Sequence, residues 1–121
     1  MILVRGREGD EYMDDSILNS VKHMLGSCDD YFDSDLITFI NGVFSTLMQL
    51  GVGPKTGFSI SGSDETWSSY TENKPELEMV KTYVYTKVRL RFDPPQGSSV
   101  LQLMQQDANE LEWRLNVATD S

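Results

Sequence analysis

Two residue types that often carry catalysis occur once each in this chain, as Cys28 and His23. One cysteine excludes an internal disulfide and favours a reducing compartment. A thiol nucleophile at Cys28 is conceivable, but a buried or merely tolerated cysteine is the more common case. One histidine excludes a histidine-rich metal site, and a single helical histidine is more often a surface residue than a catalyst.

Carboxylates and a glycine-rich segment are the other candidates for chemistry. The chain has 19 Asp and Glu residues, so pairs of carboxylates arise by chance and do not indicate an acid–base site. The segment GVGPKTG, residues 51–57, superficially resembles a phosphate-binding loop, but it lacks the G-x-x-x-x-G-K-[ST] order and follows no convincing strand. We therefore predict that the protein is not an enzyme and needs no cofactor or metal ion.

Positive charge is concentrated in the stretch VKTYVYTKVRLRFDPP, residues 80–95, which we call the basic segment. It holds four of the ten basic residues of a chain whose formal net charge is −9. General affinity for nucleic acid is not expected, because phosphate binding needs clustered Lys and Arg without competing carboxylates. Two interpretations of the grouping stay open at this point: contact with carboxylates of a partner, or a solvated face. The predicted contact residues of the segment are Lys81, Tyr85, Lys87, Arg89 and Arg91.

The basic segment fits two secondary-structure templates. Its β-branched residues alternate with charged and aromatic ones, as in a half-buried strand. The ends favour a helix instead, because Asn73 can cap it, Pro75 suits its first turn and Pro94 helps to stop it. A helix places Tyr83, Lys87 and Arg91 on one ridge and Lys81, Tyr85 and Arg89 on an adjacent one. Its buried face would consist of Leu77, Val80, Val84 and Val88.

Two more helices are predicted before the basic segment. The first begins at the N-cap Asp15 and ends at Gly26, a residue type that suits the end of a helix. The second is capped by Asp33 or Ser34 and runs to Gly51. Its apolar residues cover much more than one face, so we expect it to be the central and most buried helix.

The last helix begins near Ser98 or Ser99 and is predicted to have two apolar faces. At about 100° per residue, Leu103, Trp113 and Val117 lie roughly opposite the core-facing stripe. A small monomer has little to bury on a second face, so these three residues suggest contact with a neighbouring chain, the alternative being Trp113 lying partly exposed over a loop. The core-facing stripe consists of Leu101, Met104, Ala108, Leu111 and Leu115.

These elements predict a mainly α protein, a small bundle of about four helices. A long Gly/Ser-rich connection precedes the basic segment, and residues 57–61 within it are expected to form a short β-hairpin. Residues 1–12 differ in character from the rest and precede a second methionine, Met13. We expect residues 1–12 to be a non-native extension, or else a short mobile arm, and residues 13–121 to form one domain. No apolar run is long enough to span a bilayer and no signal peptide is found, so a soluble protein without membrane contact is expected.

Three stretches of the sequence carry a resemblance to a known family. They are LGVGPKTGFSISGSDETWSSY, VKTYVYTKVRLRFDPPQGSSV and ELEWRLN. With these stretches the chain resembles small head-to-tail connector proteins, also called adaptor or head-completion proteins, of long-tailed bacteriophages. The similarity covers almost everything from Met13 to the C-terminus and is most specific in the F-D-P-P turn and the E-L-E-W-R-L-N helix.

The resemblance implies a structural virion protein located in the neck and made in the host bacterial cytoplasm. It implies a homo-oligomeric ring of about twelve copies below the portal protein, extending the DNA channel and presenting a platform to the next neck or tail protein. Genomic DNA would pass without specific binding. Two other classes are kept open: a small regulatory or anti-host phage protein that binds one bacterial partner, and an enzyme with an unrecognised carboxylate site.

Overall fold

Helices account for most of the chain that the computed structural model describes, which is residues 15–26, 29–70 and 76–119. This part of the chain contains no β-strand, so the prediction of a mainly helical bundle is confirmed. Residues 1–12, Met13 and Cys28 lie outside the described residues. The elements are α1 (Ile17–Leu25), a 3₁₀ turn (Asp30–Phe32), α2 (Asp33–Gln49), the single-turn α3 (Trp67–Tyr70), α4 (Leu77–Phe92) and α5 (Ser98–Thr119).

Capping groups set both ends of α1. The Ser16 hydroxyl oxygen accepts a hydrogen bond from the Asn19 N–H at 3.2 Å, so the N-cap is Ser16 and not the predicted Asp15. Gly26 ends the helix as predicted. Its φ of 79° lies in the left-handed region, which glycine adopts without a steric penalty.

The 3₁₀ turn sets the start of α2. Neither Asp33 nor Ser34 acts as the predicted cap, because the turn runs directly into the helix and leaves no extended residue between them. The capping carboxylate lies one turn earlier, at Asp29, whose Oδ1 accepts the Tyr31 N–H at 2.9 Å.

A buried lysine joins α1 to this turn. Lys22 Nζ lies 2.7 Å from Asp30 Oδ1 and 2.8 Å from Asp33 Oδ1, and only 10% of the lysine side chain is exposed. Burial by itself lowers the pKa of Lys22, but the hydrogen bonds to the two carboxylates outweigh burial and hold the pKa above its ordinary value. The lysine thus stays charged inside the fold because both carboxylates reach it.

The basic segment forms α4, which confirms the choice of helix over strand. Val80, Val84 and Val88 are buried, as predicted for the core-facing side. Helix α4 packs against α1, α2 and α5, so α4 and not α2 occupies the centre of the bundle. The predicted cap Asn73 and the first-turn Pro75 lie outside the described residues.

Tyr83 departs from the predicted ridges of α4. It is fully buried, and its hydroxyl donates a hydrogen bond to Glu112 Oε2 of α5 at 2.7 Å. Burial, and then the contact with this carboxylate, raise the pKa of Tyr83 well above its ordinary value. Because α5 covers this side of α4, Tyr83 belongs to the core, and the predicted ridge with Lys87 and Arg91 loses its first member.

Side-chain hydrogen bonds hold the long connection between α2 and α4. Asn41 of α2 pairs with the backbone of Ile60, donating from Nδ2 to the carbonyl at 2.9 Å and accepting the N–H on Oδ1 at 2.7 Å. The hairpin predicted for residues 57–61 is therefore wrong, since a side-chain amide takes the bonds that a second strand would have made. The β-type pairing in the described residues is a single bridge between Ser16 and Thr66.

An aromatic cluster anchors the same connection to the core. The ring centroid of Phe44 in α2 lies 4.8 Å from that of Tyr70 and 5.1 Å from that of Phe58, and Phe58 lies 5.2 Å from Tyr70. Trp67 donates from Nε1 to the Ser20 hydroxyl at 2.9 Å. The Tyr70 hydroxyl is buried and finds no hydrogen-bond partner among residues 15–26, 29–70 and 76–119, and burial raises the pKa of Tyr70 to about 12.

Tyr70→Phe is expected to leave the free energy of unfolding at pH 8 unchanged or to raise it by up to about 1 kcal/mol, because it removes a buried hydroxyl that no described residue hydrogen-bonds. In the wild type the Tyr70 pKa is higher in the folded than in the unfolded chain. The protonated Tyr70 hydroxyl therefore makes its full contribution to the free energy of unfolding below about pH 10. This contribution is lost as the pH rises toward 12. Urea unfolding between pH 9 and pH 12 should show that the free energy of unfolding falls less steeply with pH in the variant than in the wild type. The difference in slope should be up to about 1.4 kcal/mol per pH unit. An equal slope in both proteins would contradict this assignment.

Candidate protein interface

The cationic side chains of α4 lie on two sides of the helix. Lys81 and Tyr85 line a groove of about 270 Å³ between α1 and α4, together with the exposed Met24 of α1. Lys81 Nζ lies 3.5 Å from Glu78 Oε2 and 6.0 Å from the ring centroid of Trp67. An exposed ion pair of this kind contributes little to stability, so Lys81 is available to a partner at small cost.

Arg89 is held within its own chain. Its Nε donates to the Asp93 carbonyl at 3.3 Å, and its guanidinium also donates to the Tyr85 hydroxyl at 3.4 Å. A cation at the C-terminal end of a helix also interacts favourably with the helix dipole. Arg89 therefore helps to end α4.

Lys87 and Arg91 lie on the other side of α4, where they line what we call the cationic cleft. This cleft of about 380 Å³ lies between α4 and α5. Lys87 Nζ is 6.0 Å from the ring centroid of Tyr83, and Arg91 is exposed. Among the described residues no carboxylate lies within ion-pairing distance of either cation. The lining residues are Lys87, Leu90, Arg91, Gln105, Ala108 and Asn109.

The outer face of α5 carries the predicted second apolar patch. Leu103, Trp113 and Val117 are 60%, 66% and 45% exposed, and we call them the apolar stripe. Val100, near the start of the helix, is 52% exposed and was not predicted. The opposite face packs inward as predicted, with Ala108 and Leu115 buried and Leu101, Met104 and Leu111 partly buried.

Tyr31 is the exposed aromatic residue that the sequence reasoning missed. It is 80% exposed and lies in the 3₁₀ turn. Asp29 just before the turn, Asp30 within it and Asp35 in the first turn of α2 are also exposed. The signal was present in the sequence CDDYFDSD, which places two aromatic residues among four aspartates. Only Asp33 and Ser34 of that stretch entered the helix prediction, as candidate caps of the second helix.

The described residues offer little that suits catalysis. His23 is exposed on α1, and within residues 15–26, 29–70 and 76–119 no group of three or more His, Cys, Asp or Glu side chains is placed to hold a metal ion. In the same ranges no helix combines the length and the apolar character needed to cross a membrane. The surfaces that stand out are the cationic cleft, the groove beside Lys81 and the apolar stripe, and all three suit contact with a macromolecule.

Comparison with known proteins identifies a family that the chain matches. A family model described as phage connector protein matches residues 17–121, which includes every element from α1 to α5. No curated protein and no solved structure matches the chain.

Proposed function

The chain belongs to the phage connector protein family, and from this premise we propose that it forms a ring below the portal vertex, joins the phage head to the tail and extends the DNA channel. The observation that carries the proposal is the family match over residues 17–121. Membership supports a connector role in the neck of the virion, while the ring of about twelve copies and its place below the portal are our extension of that role.

The apolar stripe supports assembly with other chains. Exposed Leu103, Trp113 and Val117 share one helix face, and tryptophan is enriched at the energetic centres of protein interfaces. A closed ring needs heterologous contacts, in which one surface of each subunit meets a different surface of the next. We propose that the stripe supplies one such surface, toward the neighbouring subunit or the portal protein.

The cations of α4 supply the charged part of these contacts. Lys81 and Tyr85 face the α1 side, whereas Lys87 and Arg91 face the α5 side, so they would reach two different partners. In a chain of net charge −9, carboxylates are abundant on every neighbouring copy. Complementary charge of this kind sets the register and the orientation of a contact.

The net charge also suits a channel for DNA. Summed around a ring, −9 per subunit produces a strongly negative wall, which repels the phosphate backbone. Genomic DNA would therefore pass during ejection without binding specifically. The remaining partner in the proposal is the next neck or tail protein, which would dock on the far side of the ring.

Mass spectrometry of purified particles tests the proposal. We expect the protein in virions at about twelve copies, in a constant ratio to the portal protein, after a gradient step that removes free protein. A fixed head protein of known copy number is the internal standard. If the protein is abundant in the infected-cell lysate but absent from particles, the proposal is wrong and a regulatory phage protein becomes the better explanation.

A further inference from the structure

The cationic cleft presents two cations that the described part of their own chain does not neutralise. Lys87 and Arg91 are four residues apart on α4, and no described carboxylate forms an ion pair with either. Leu90 and Ala108 give the cleft an apolar floor, while Gln105 and Asn109 of α5 provide amide groups that donate and accept hydrogen bonds. Such a site suits a carboxylate-bearing segment that also carries an apolar side chain.

The same chain carries a segment with this chemistry, residues 29–35, which we call the acidic turn. Tyr31 is 80% exposed, and Asp29, Asp30 and Asp35 are exposed around it. Among the described residues, Lys22 is the cation that pairs with the acidic turn. One lysine does not balance the four aspartates of the turn, so the turn keeps a negative charge. A tyrosine in water beside several carboxylates is the complement of a cleft with an apolar floor and two cations.

The acidic turn is already held in shape. Asp29 Oδ1 accepts the Tyr31 N–H at 2.9 Å, and the Tyr31 ring meets Phe32 edge-on at a centroid distance of 4.9 Å. Phe32 in turn packs on Phe92 at 5.2 Å. Because the turn is ordered before it meets a partner, binding would lose little conformational entropy.

The turn does not fill the cleft of its own chain. The turn contacts Phe92 of α4, whereas the neighbouring residue Arg91 lines the cleft. Because consecutive residues of a helix point about 100° apart, the turn and the cleft lie on different sides of α4. None of the residues that line the cleft belongs to the turn. Within the part of the chain that the structure describes, both surfaces are therefore open to a second copy, and one copy can use both of them at once.

We propose that the acidic turn of one copy docks into the cationic cleft of the next copy, a contact that rests on the ring of the proposed function. The Arg91 guanidinium can bind a carboxylate of the turn with two parallel hydrogen bonds. The Tyr31 ring covers Leu90 and the aliphatic stem of Lys87. Two different surfaces meet, so the contact is heterologous and repeats around a ring. DNA is a poorer occupant because the surrounding chain, at −9, repels phosphates.

Site-directed cross-linking of the purified full-length chain tests the contact. In a Cys28→Ser background, one copy carries Ser34→Cys within the acidic turn and the other carries Asn109→Cys in the cleft. A short bis-maleimide should join the two in a mixture at about 1 mM, where even weak association populates the contact. The matched control is Asp107→Cys, an exposed α5 position that lines a different cleft. Cross-linking at Asn109 that is no faster than at Asp107 would overturn the contact.

A charge swap makes the test specific. Arg91→Glu in the Asn109→Cys copy should slow cross-linking at least about tenfold, and Asp35→Lys in the Ser34→Cys copy should restore it. Circular dichroism checks that each variant is folded. If Asp35→Lys does not restore the cross-linking that Arg91→Glu slows, the proposed pairing of charges is wrong.

The proposed function and this contact fail separately. The protein can be present in particles at the expected ratio while Ser34 and Asn109 do not cross-link, which removes the contact and keeps the connector ring. It can also cross-link as expected in solution and be absent from particles, which removes the connector role and keeps the contact.

Discussion

Gly53→Ala is expected to lower the free energy of unfolding by about 3 kcal/mol. Gly53 has a φ of 86°, and an added Cβ would lie 2.6 Å from the Tyr70 hydroxyl oxygen and 2.7 Å from the Tyr70 ring. The left-handed backbone costs a non-glycine residue about 1–2 kcal/mol. Tyr70 cannot easily move aside, because its ring packs against Phe44 and Phe58. Overpacking therefore adds about 1–3 kcal/mol to the backbone penalty.

Gly62→Ala is the matched control for this variant. Gly62 lies in the same connection, has no left-handed φ, and an added Cβ would meet nothing within 4 Å. Its free energy of unfolding should stay within about 0.5 kcal/mol of the wild type. Urea unfolding at pH 8 measures both variants, and equal stabilities would show that the connection moves freely around Tyr70.

Trp113→Ala is expected to weaken incorporation into particles while leaving the fold intact. The side chain is 66% exposed on α5, so truncation removes little buried area from the folded chain. At the centre of an interface a tryptophan contributes about 2–4 kcal/mol, which is about 30- to 1,000-fold in affinity. The variant is supplied to a phage that lacks the gene. The copy number of the protein in purified particles and the phage titre are then measured.

Two other substitutions calibrate the effect of Trp113→Ala. Gln106→Ala removes an exposed amide from the same face of the helix and should leave incorporation near the wild-type level, because contacts around an aromatic anchor are close to neutral in energy. Trp67→Ala removes a side chain that is only 2% exposed and should cost about 3–5 kcal/mol of folding free energy. If Trp113→Ala unfolds as readily as Trp67→Ala, or gives particles with normal copy number and titre, the role assigned to the apolar stripe is wrong.

The sequence by itself determined the four longer helices and the two faces of α5, whereas the single-turn α3 was not predicted. The 3.6-residue period is a property of the isolated helix, so the spacing of Ala108 and Leu115 was enough to assign the inner face and to place Trp113 outside. Asn73, Pro75 and Pro94 likewise favoured a helix over a strand for the basic segment, because helix ends have their own local chemistry. These features depend on neighbours within one or two turns.

Some local details were missed because two adjacent residues can do the same task. Asp15 and Ser16 are both good N-cap residues. Ser16 caps the helix in the structure, where its hydroxyl also donates to the Ser63 carbonyl at 2.8 Å, 47 residues away. The start of α2 shifted for a similar reason, since Lys22 draws Asp30 and Asp33 into one cluster. A cap is a local motif, but the choice between neighbouring candidates depends on the rest of the fold.

Only the tertiary structure decided how the cations of α4 are divided. Helix α5 lies over Tyr83, which turns a residue of the predicted ridge into core and places Lys87 and Arg91 in one cleft, while Lys81 faces α1. The pairing of Asn41 with Ile60 replaced a hairpin in the same way. Periodicity gives the direction of a side chain around its own helix, whereas its burial depends on which distant segment packs there. That packing is set by the summed contacts of the whole core.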